Sequence, residues 1–478
     1  MTVTEFAALV KSELPYEPNS QQDALIGALA RFCAGLRPTG ENSYNQPDAD
    51  KAFVVNGYAG TGKTSLVSAL VRALESLKIK VVLMAPTGRA AKVFSAYSGH
   101  TASTIHRKIY RHSLHGEVPG LKENKDSDTL YIVDEASMIA SDKSGSGSDI
   151  LTNLLTYVYA GCNNRLILMG DTAQLPPVGE IDSPAMNVDY LRELGLKVSS
   201  ATLTRVVRQG ARSGILANAV NIRRDMVNHP TRIPKPIVEP FKDVDTITAT
   251  DLDEAIDSAY RTEGIQDTII ITRSNRRASE FNKAIRNLVL YYEEVLEAGE
   301  PILIVKNNYF WTRVSKRHDI DFIANGDILR VTRIIDIETK YGFTFANIEV
   351  VPAETNESEN ETQPLQVKIF IETLASEHPT LPAERLHLLY ERIVRAEYAD
   401  NPDPLRALSE NPYWNALQAK YAYCVTCHKA QGGQWSRVFV DIAYINPDTI
   451  GKDLYRWMYT ATTRARHHLT YITDNTCE

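Results

Sequence analysis

Eight consecutive residues, Gly57-Tyr58-Ala59-Gly60-Thr61-Gly62-Lys63-Thr64, constrain this chain more than any other stretch in it. They spell GxxxxGKT and lie between a short β-branched apolar run, AFVVN at 52–56, and a segment of helical periodicity, LVSALVRALESL at 66–77. Strand, glycine-rich loop and helix in that order are what a phosphate-binding loop requires. Gly57, Gly60 and Gly62, with Thr61 among them, let backbone N–H groups surround phosphate oxygens without Cβ clashes, and the following helix N-terminus favours added negative charge. Lys63 is then placed to reach the β and γ phosphates of ATP, and the Thr64 hydroxyl to bind Mg²⁺. A chance glycine-rich turn is the competing reading, and it leaves the flanking strand and helix unexplained.

Buried-strand runs comparable to 52–56 recur at 80–85 (KVVLMA), 129–133 (TLYIV) and 165–169 (RLILM), with helix-like stretches between them. The first half therefore reads as parallel α/β around a RecA-like sheet. The run TIIIT at 268–272, the helix-like 276–290 and later strands at 437–442 and 468–473 read as a second α/β unit. Between about 300 and 352 the pattern changes to short strands with turns (PILIVKN, GDILRVTRII, FTFANIEVV), which suits a small β-barrel. Residues 354–363 read as an acidic solvated loop, and 383–420 as helices interrupted by Asn401, Pro402 and Pro404. The expected map is an N-terminal RecA-like ATPase domain over 1–210, the first part of a second RecA-like domain over 211–299, an inserted β-barrel and helical region over 300–420, and the remainder of the second domain over 421–478.

The 478 residues, 43% hydrophobic and 23% charged, fit a multidomain globular chain. No stretch approaches the roughly 20 apolar residues that span a bilayer, and the first residues lack a basic region followed by an apolar one. The expectation is a cytoplasmic protein without a membrane partner. Five scattered cysteines do not form a disulfide framework, and the single CxxC at Cys424 and Cys427 has no second pair to complete a zinc site. A formal charge of −7 argues against a uniformly basic coat but says nothing of where basic residues cluster.

At the end of TLYIV stand Asp134 and Glu135, where one carboxylate can hold Mg²⁺ while its neighbour positions or deprotonates the attacking water. An Asp-Glu pair at a strand end is more often surface charge, but a P-loop and a buried strand upstream reverse that weighting. Another strand end carries Gly170-Asp171-Thr172-Ala173-Gln174-Leu175-Pro176-Pro177-Val178, where Gln174 can reach the γ-phosphate or simply face solvent. Arg208 in LTRVVRQ and Arg464 in YTATTRA are candidates for the guanidinium that neutralises transition-state charge, although a lone arginine is usually solvated or ion-paired.

The order and wording of these segments resemble the RecD/Dda-like helicases of superfamily 1B over most of the chain. The series is NSQQDAL, GYAGTGKT, APTGRAAK, ASTIH, VDEASM, GDTAQLPPVG, LTRVVRQ, TCHKAQGGQW and YTATTRA. The resemblance implies that Gln21 recognises adenine, with Gln22 an alternative by one position and the Q-x-x-A spacing to Ala24 favouring Gln21. It implies that Lys63 and Thr64 bind triphosphate and Mg²⁺, that Asp134 and Glu135 handle metal and water, and that Gln174, Arg208 and Arg464 complete the γ-phosphate site. Single-stranded DNA is implied across both RecA-like domains, contacted around Pro86 and Thr87, Thr104 and His106, and Thr426 and His428, groups suited to phosphate contacts without base selection. The CxxC then becomes incidental to the Thr426 segment, and His106, His112 and His115, irregularly spaced, fit surface and DNA contact better than a metal cluster.

Residues 107–127 occupy the place of the family's strand-separating pin, and FIANGDILRV at 322–331 supports an SH3-like barrel; the helical 372–420 has no clear counterpart. The expected function is an ATP-dependent DNA helicase translocating 5′→3′, with single-stranded and tailed duplex DNA as partners and replication or repair proteins as further candidates. The alternative is a DNA-stimulated ATPase subunit with a regulatory or assembly role that does not unwind alone. A P-loop kinase would leave two arginine motifs and the second α/β unit unexplained.

Overall fold

The computed structural model describes residues 2–40, 50–111, 120–141, 149–206, 213–228, 231–315, 322–353 and 363–474. The chain divides into two compact units. Of the described residues, those up to Pro234 and Gly451–Thr463 form one, and those of Lys235–Ile450 and from Arg464 onward form the other.

The first unit is built on a six-stranded parallel sheet. Its strands are β1 (Ala52–Gly57), β2 (Val81–Ala85), β3 (Ala102–Thr104), β4 (Leu130–Val133), β5 (Arg165–Gly170) and β6 (Val198–Leu203), in the order β3-β2-β4-β5-β1-β6. Alternate side chains of the central strands enter opposite cores. Phe53, Val55, Ile132 and Ile167 pack with the helices Ser20–Cys33 and Lys63–Ser76, while Val54, Tyr131, Val133 and Leu168 pack with the helix Ile150–Ala160. Burial on both faces is why these strands are continuous apolar runs. The edge strand β6 is different: Val198 and Leu203 are buried but the residues between them are half-buried or exposed, so VSSATL carries no apolar run to read.

The expected boundary at residue 210 falls inside this unit. The helix Gly214–Val227 lies in it because Leu216 meets Gly60 and the Arg223 guanidinium lies 3.9 Å from the Tyr58 ring centroid. The helix Lys452–Thr462 also belongs to it, with the Tyr455 hydroxyl donating to the Arg232 carbonyl at 2.9 Å.

The second unit holds two sheets. A parallel one takes β7 (Val244–Thr248) and β8 (Thr268–Thr272) with three strands from the end of the chain. Between them in sequence come β9 (Pro301–Ile304), β10 (Ile328–Lys340), β11 (Phe343–Pro352), β12 (Leu365–Phe370) and β13 (Ala419–Tyr421), and then β14 (Cys424–Thr426), β15 (Trp435–Asp441) and β16 (Ala465–Thr473) complete the parallel sheet in the order β14-β8-β15-β16-β7. The others form an antiparallel sheet, β12-β11-β10-β9-β13. Its two ends approach each other at Leu417, whose N–H donates to the Lys368 carbonyl at 2.7 Å and whose carbonyl accepts from the Phe370 N–H at 2.9 Å.

The helices Ala383–Glu397 and Pro404–Ser409 rest on this sheet through Leu389, Ile393 and Leu408 against Phe343, Phe345 and Phe370. A buried ion pair closes the start of the antiparallel sheet: Arg286 Nε lies 2.6 Å from Glu300 Oε1, and the Tyr423 hydroxyl and Glu297 N–H donate to the same carboxylate.

Candidate nucleotide and nucleic-acid site

In the first unit, the sequence-predicted residues gather at the C-terminal ends of neighbouring parallel strands, where open α/β sheets bind ligands. The phosphate-loop sequence follows β1, Asp134 and Glu135 follow β4, and the Gly170–Gln174 turn ends β5. These three strands are adjacent in the sheet. Next to them lie β2, which is followed by Pro86 and Thr87, and β3, which ends at Thr104.

Gly60 (φ 73°) and Gly62 (φ 80°) take left-handed conformations, and Gly62 caps the helix Lys63–Ser76 without offering it a side chain. The amides at this helix start therefore face the loop, as an anion requires. Lys63 Nζ donates to the carbonyls of Gly57 and, at 3.2 Å, Tyr58. Among the described residues the half-buried Thr64 hydroxyl has no hydrogen-bond partner.

Glu135 has φ 51°, an uncommon and strained conformation for a side-chain-bearing residue, and its N–H is held by Asp134 Oδ1 at 2.8 Å. Burial, then the neighbouring Glu135 carboxylate, push Asp134 up to about 7, against the pull of the Glu135 N–H and Lys63. Two carboxylates so placed have more negative charge than Lys63 balances. A divalent cation fits that deficit, with Thr64 and Asp134 as the residues that would hold it.

Gln174 is 7% exposed, and its buried Oε1 has no partner among the described residues. It lines a cavity of about 200 Å³ together with Ser137, Asp171, Pro176, Ser183 and Arg456. Its backbone N–H closes the turn onto the Asp171 carbonyl at 3.1 Å, and Asn56 at the end of β1 accepts from the Thr172 N–H and hydroxyl, both at 3.2 Å.

The two candidate glutamines do different things. Gln21 accepts from the Thr204 and Arg205 N–H groups at 3.0 and 2.9 Å, whereas buried Gln22 donates to the Thr61 carbonyl of the phosphate loop at 3.0 Å. Arg208, His112 and His115 lie outside the described residues, as does the centre of the 107–127 segment. The described ends of that segment pair, with the Arg111 N–H on the Gly120 carbonyl at 2.8 Å and the Lys122 N–H on the Ile109 carbonyl at 2.7 Å.

Thr87 and Thr104 each cap a helix, accepting from Ala90 N–H and Arg107 N–H, both at 3.2 Å. Burial lowers His106. In the second unit, Thr426 ends β14 and precedes the short helix Cys427–Ala430 without capping it. His428 is lowered by burial and by Lys429, whose ammonium donates to Asn325. Buried Cys427 is pushed up to about 12 and Cys424 well above the usual thiol range, so neither is a ready thiolate. Arg464 is 3% exposed and donates to the Gly433 carbonyl at 3.3 Å. Asp171 and Tyr459 fall inside the segments GDTAQLPPVG and YTATTRA, but sequence reasoning gave neither of them, nor Asn56, a role, because their partners are remote in the chain.

An AAA-domain family model matches residues 47–235, and a model of the UvrD-like helicase C-terminal domain matches 421–472. The chain is 33% identical over 224 residues to the ATP-dependent RecD2 DNA helicase of Deinococcus radiodurans, covering 45% of this chain but 28% of that protein. It is 25% identical over 439 residues to the ATP-dependent DNA helicase dda of Enterobacteria phage T4, covering 87% of this chain and 93% of that one. The Bacteroides Pif1 helicase in complex with ADP-AlF3 and ssDNA aligns with a TM-score of 0.44 at 15% identity, over 96% of this chain and 93% of that one, too distant a likeness to carry an argument.

Parallel sheets in two units, a phosphate loop beside an acidic strand end and a helicase-type C-terminal segment define a two-unit P-loop NTPase of the helicase class. The ordered motifs and the RecD2 and dda relatives narrow this further. The chain is similar to the RecD/Dda-like helicases of superfamily 1B.

Proposed function

We propose that the chain is an ATP-dependent DNA helicase that translocates 5′→3′ on single-stranded DNA and unwinds tailed duplexes. The observation that carries the reading is the convergence of the phosphate loop, Asp134–Glu135 and the Gly170–Gln174 turn at the ends of adjacent strands, with Pro86, Thr87 and Thr104 at the ends of the next two. Lys63 leaves the Gly57 and Tyr58 carbonyls to neutralise β and γ phosphate charge, the amides of Gly60, Thr61, Gly62 and Thr64 face the triphosphate, and Gln21 reads the adenine. Bound Mg²⁺, held by Thr64 and Asp134, supplies charge neutralisation of the β and γ oxygens. Glu135 orients and deprotonates the attacking water, and Gln174, Arg208 and Arg464 face the charge that develops on the transferred phosphoryl group.

Thr87, Thr104, His106, Thr426 and His428 contact phosphates of the single strand. The antiparallel sheet whose ends meet at Leu417 is the SH3-like barrel, and the paired ends of 107–127 form the base of the pin. Polarity and adenine recognition rest on the family resemblance.

ATP turnover with and without single-stranded DNA tests the ATPase part of this reading. Wild type is stimulated by DNA, Lys63→Ala loses turnover while staying folded, and Glu135→Gln binds ATP but stalls hydrolysis because an amide cannot take a proton. Near-normal turnover in Lys63→Ala would remove the assignment.

A further inference from the structure

The helix Lys452–Thr462 is attached to the loops of its own unit by three neighbouring side chains of one face. Arg456 donates to the Ile181 carbonyl at 2.6 Å and to the Asp182 carboxylate. The Thr460 hydroxyl accepts from the Leu175 N–H at 2.9 Å. Between them, the Tyr459 hydroxyl accepts from the Ala59 N–H of the phosphate loop at 2.9 Å and donates to Asp171 Oδ2 at 2.6 Å.

Tyr459 and Asp171 are each 1% exposed. The Asp171 carboxylate has no cationic partner among the described residues; its donors are the Tyr459 hydroxyl and, at 2.9 Å, the Ala173 N–H. One phenol therefore satisfies a buried carboxylate and joins two loops that are 112 residues apart in sequence at Ala59 and Asp171. Asp171 opens the turn that carries Gln174, whose own side-chain oxygen has no partner among the described residues, so the direction of Gln174 is set by the turn. Hydrogen-bonded buried networks of this kind fix one arrangement of the groups they join.

We propose that Tyr459 is a positioning residue for ATP hydrolysis: its hydroxyl locks the phosphate loop to the Asp171–Gln174 turn, so that Gln174 is presented to the γ-phosphate held by that loop. This rests on the ATPase reading above. The hydroxyl bonds the Ala59 N–H and Asp171 and is not among the groups assigned to the triphosphate, so it is expected to act on turnover more than on affinity.

Tyr459→Phe removes the hydroxyl and keeps the ring. Expected results are affinity for a fluorescent ADP analogue within about threefold of wild type and DNA-stimulated kcat down by about tenfold or more, with KM for ATP moving less than kcat. The double variant Tyr459→Phe with Gln174→Ala is then no slower than the slower single variant, because both changes remove the same alignment. Effects on kcat that multiply, or a lowered melting temperature with unchanged kcat, would overturn the proposal and leave Tyr459 a packing residue. If wild type itself shows no ATP turnover, the ATPase reading fails and this inference with it. If wild type turns over and Tyr459→Phe matches it, the inference alone fails.

Discussion

Gly170→Ala adds one methyl group at the end of β5, and its consequence can be worked from distances. A Cβ there would sit 2.9 Å from the Ser137 backbone nitrogen, 2.9 Å from Met186 Sδ and 3.2 Å from Ser137 Cβ. Ordinary contact begins near about 3.5 Å, so the new atom requires a displacement of roughly half an ångström. Met186 can swing away. The Ser137 amide cannot, because it belongs to the tight turn Ala136–Met138 that directly follows Glu135. Overpacking at such a site costs about 1–3 kcal/mol, which for a unit of this size lowers the melting temperature by roughly 2–12 °C. Moving the Glu135 segment by that amount should also slow hydrolysis by about tenfold, given that a 1 Å misplacement costs about a hundredfold. Thermal unfolding and DNA-stimulated ATP turnover on the same preparation check both. A variant as stable and as active as wild type would refute the packing argument; lost stability with full turnover would refute the link from Gly170 to Glu135.

In the second unit, Glu300→Gln leaves the Arg286 guanidinium buried without its counter-charge and should destabilise by about 3–5 kcal/mol in chemical denaturation, whereas a loss below about 1 kcal/mol would mean that the pair is not desolvated. Burial lowers His106, and burial and Lys429 lower His428, so both imidazoles are neutral at pH 7. Affinity for single-stranded DNA should therefore be flat from about pH 7 to 8.5 and strengthen only on acidification below the ordinary imidazole range near about 6.5, and a large fall between pH 7 and 8 would contradict their neutrality. The same depression makes folding less favourable on acidification, because the unfolded chain takes up those protons more readily.

Much of the proposed nucleotide site is written in local spacing, because its chemistry demands particular residues at fixed intervals: a glycine loop with Lys63 and Thr64, and carboxylates directly after a buried strand. The strands β1, β2, β4, β5 and β8 were legible for a related reason, being buried on both faces. The three-residue β3, β13 and β14 are too short to show a period, and β6 escaped because its middle faces outward. Long-range contacts left no trace in the sequence. Sequence pattern alone groups the helix Gly214–Val227 with the second RecA-like domain, although Leu216 and Arg223 pack on the phosphate loop. Tyr459 meets Ala59 across 400 positions and Asp171 across 288, and only the folded chain brings them together. The reading of Thr87 and Thr104 was incomplete for a similar reason, since their hydroxyls are engaged in capping helices.

Helicase activity and its direction are read together by strand displacement with the purified full chain on matched duplexes bearing a 5′ or a 3′ single-stranded tail, with ATP and Mg²⁺. Separation of the 5′-tailed duplex is expected, with little of the 3′-tailed one and none with Lys63→Ala. DNA-stimulated ATP turnover without strand separation on either substrate would contradict it and favour a regulatory ATPase subunit, and preference for the 3′ tail would contradict the direction of movement.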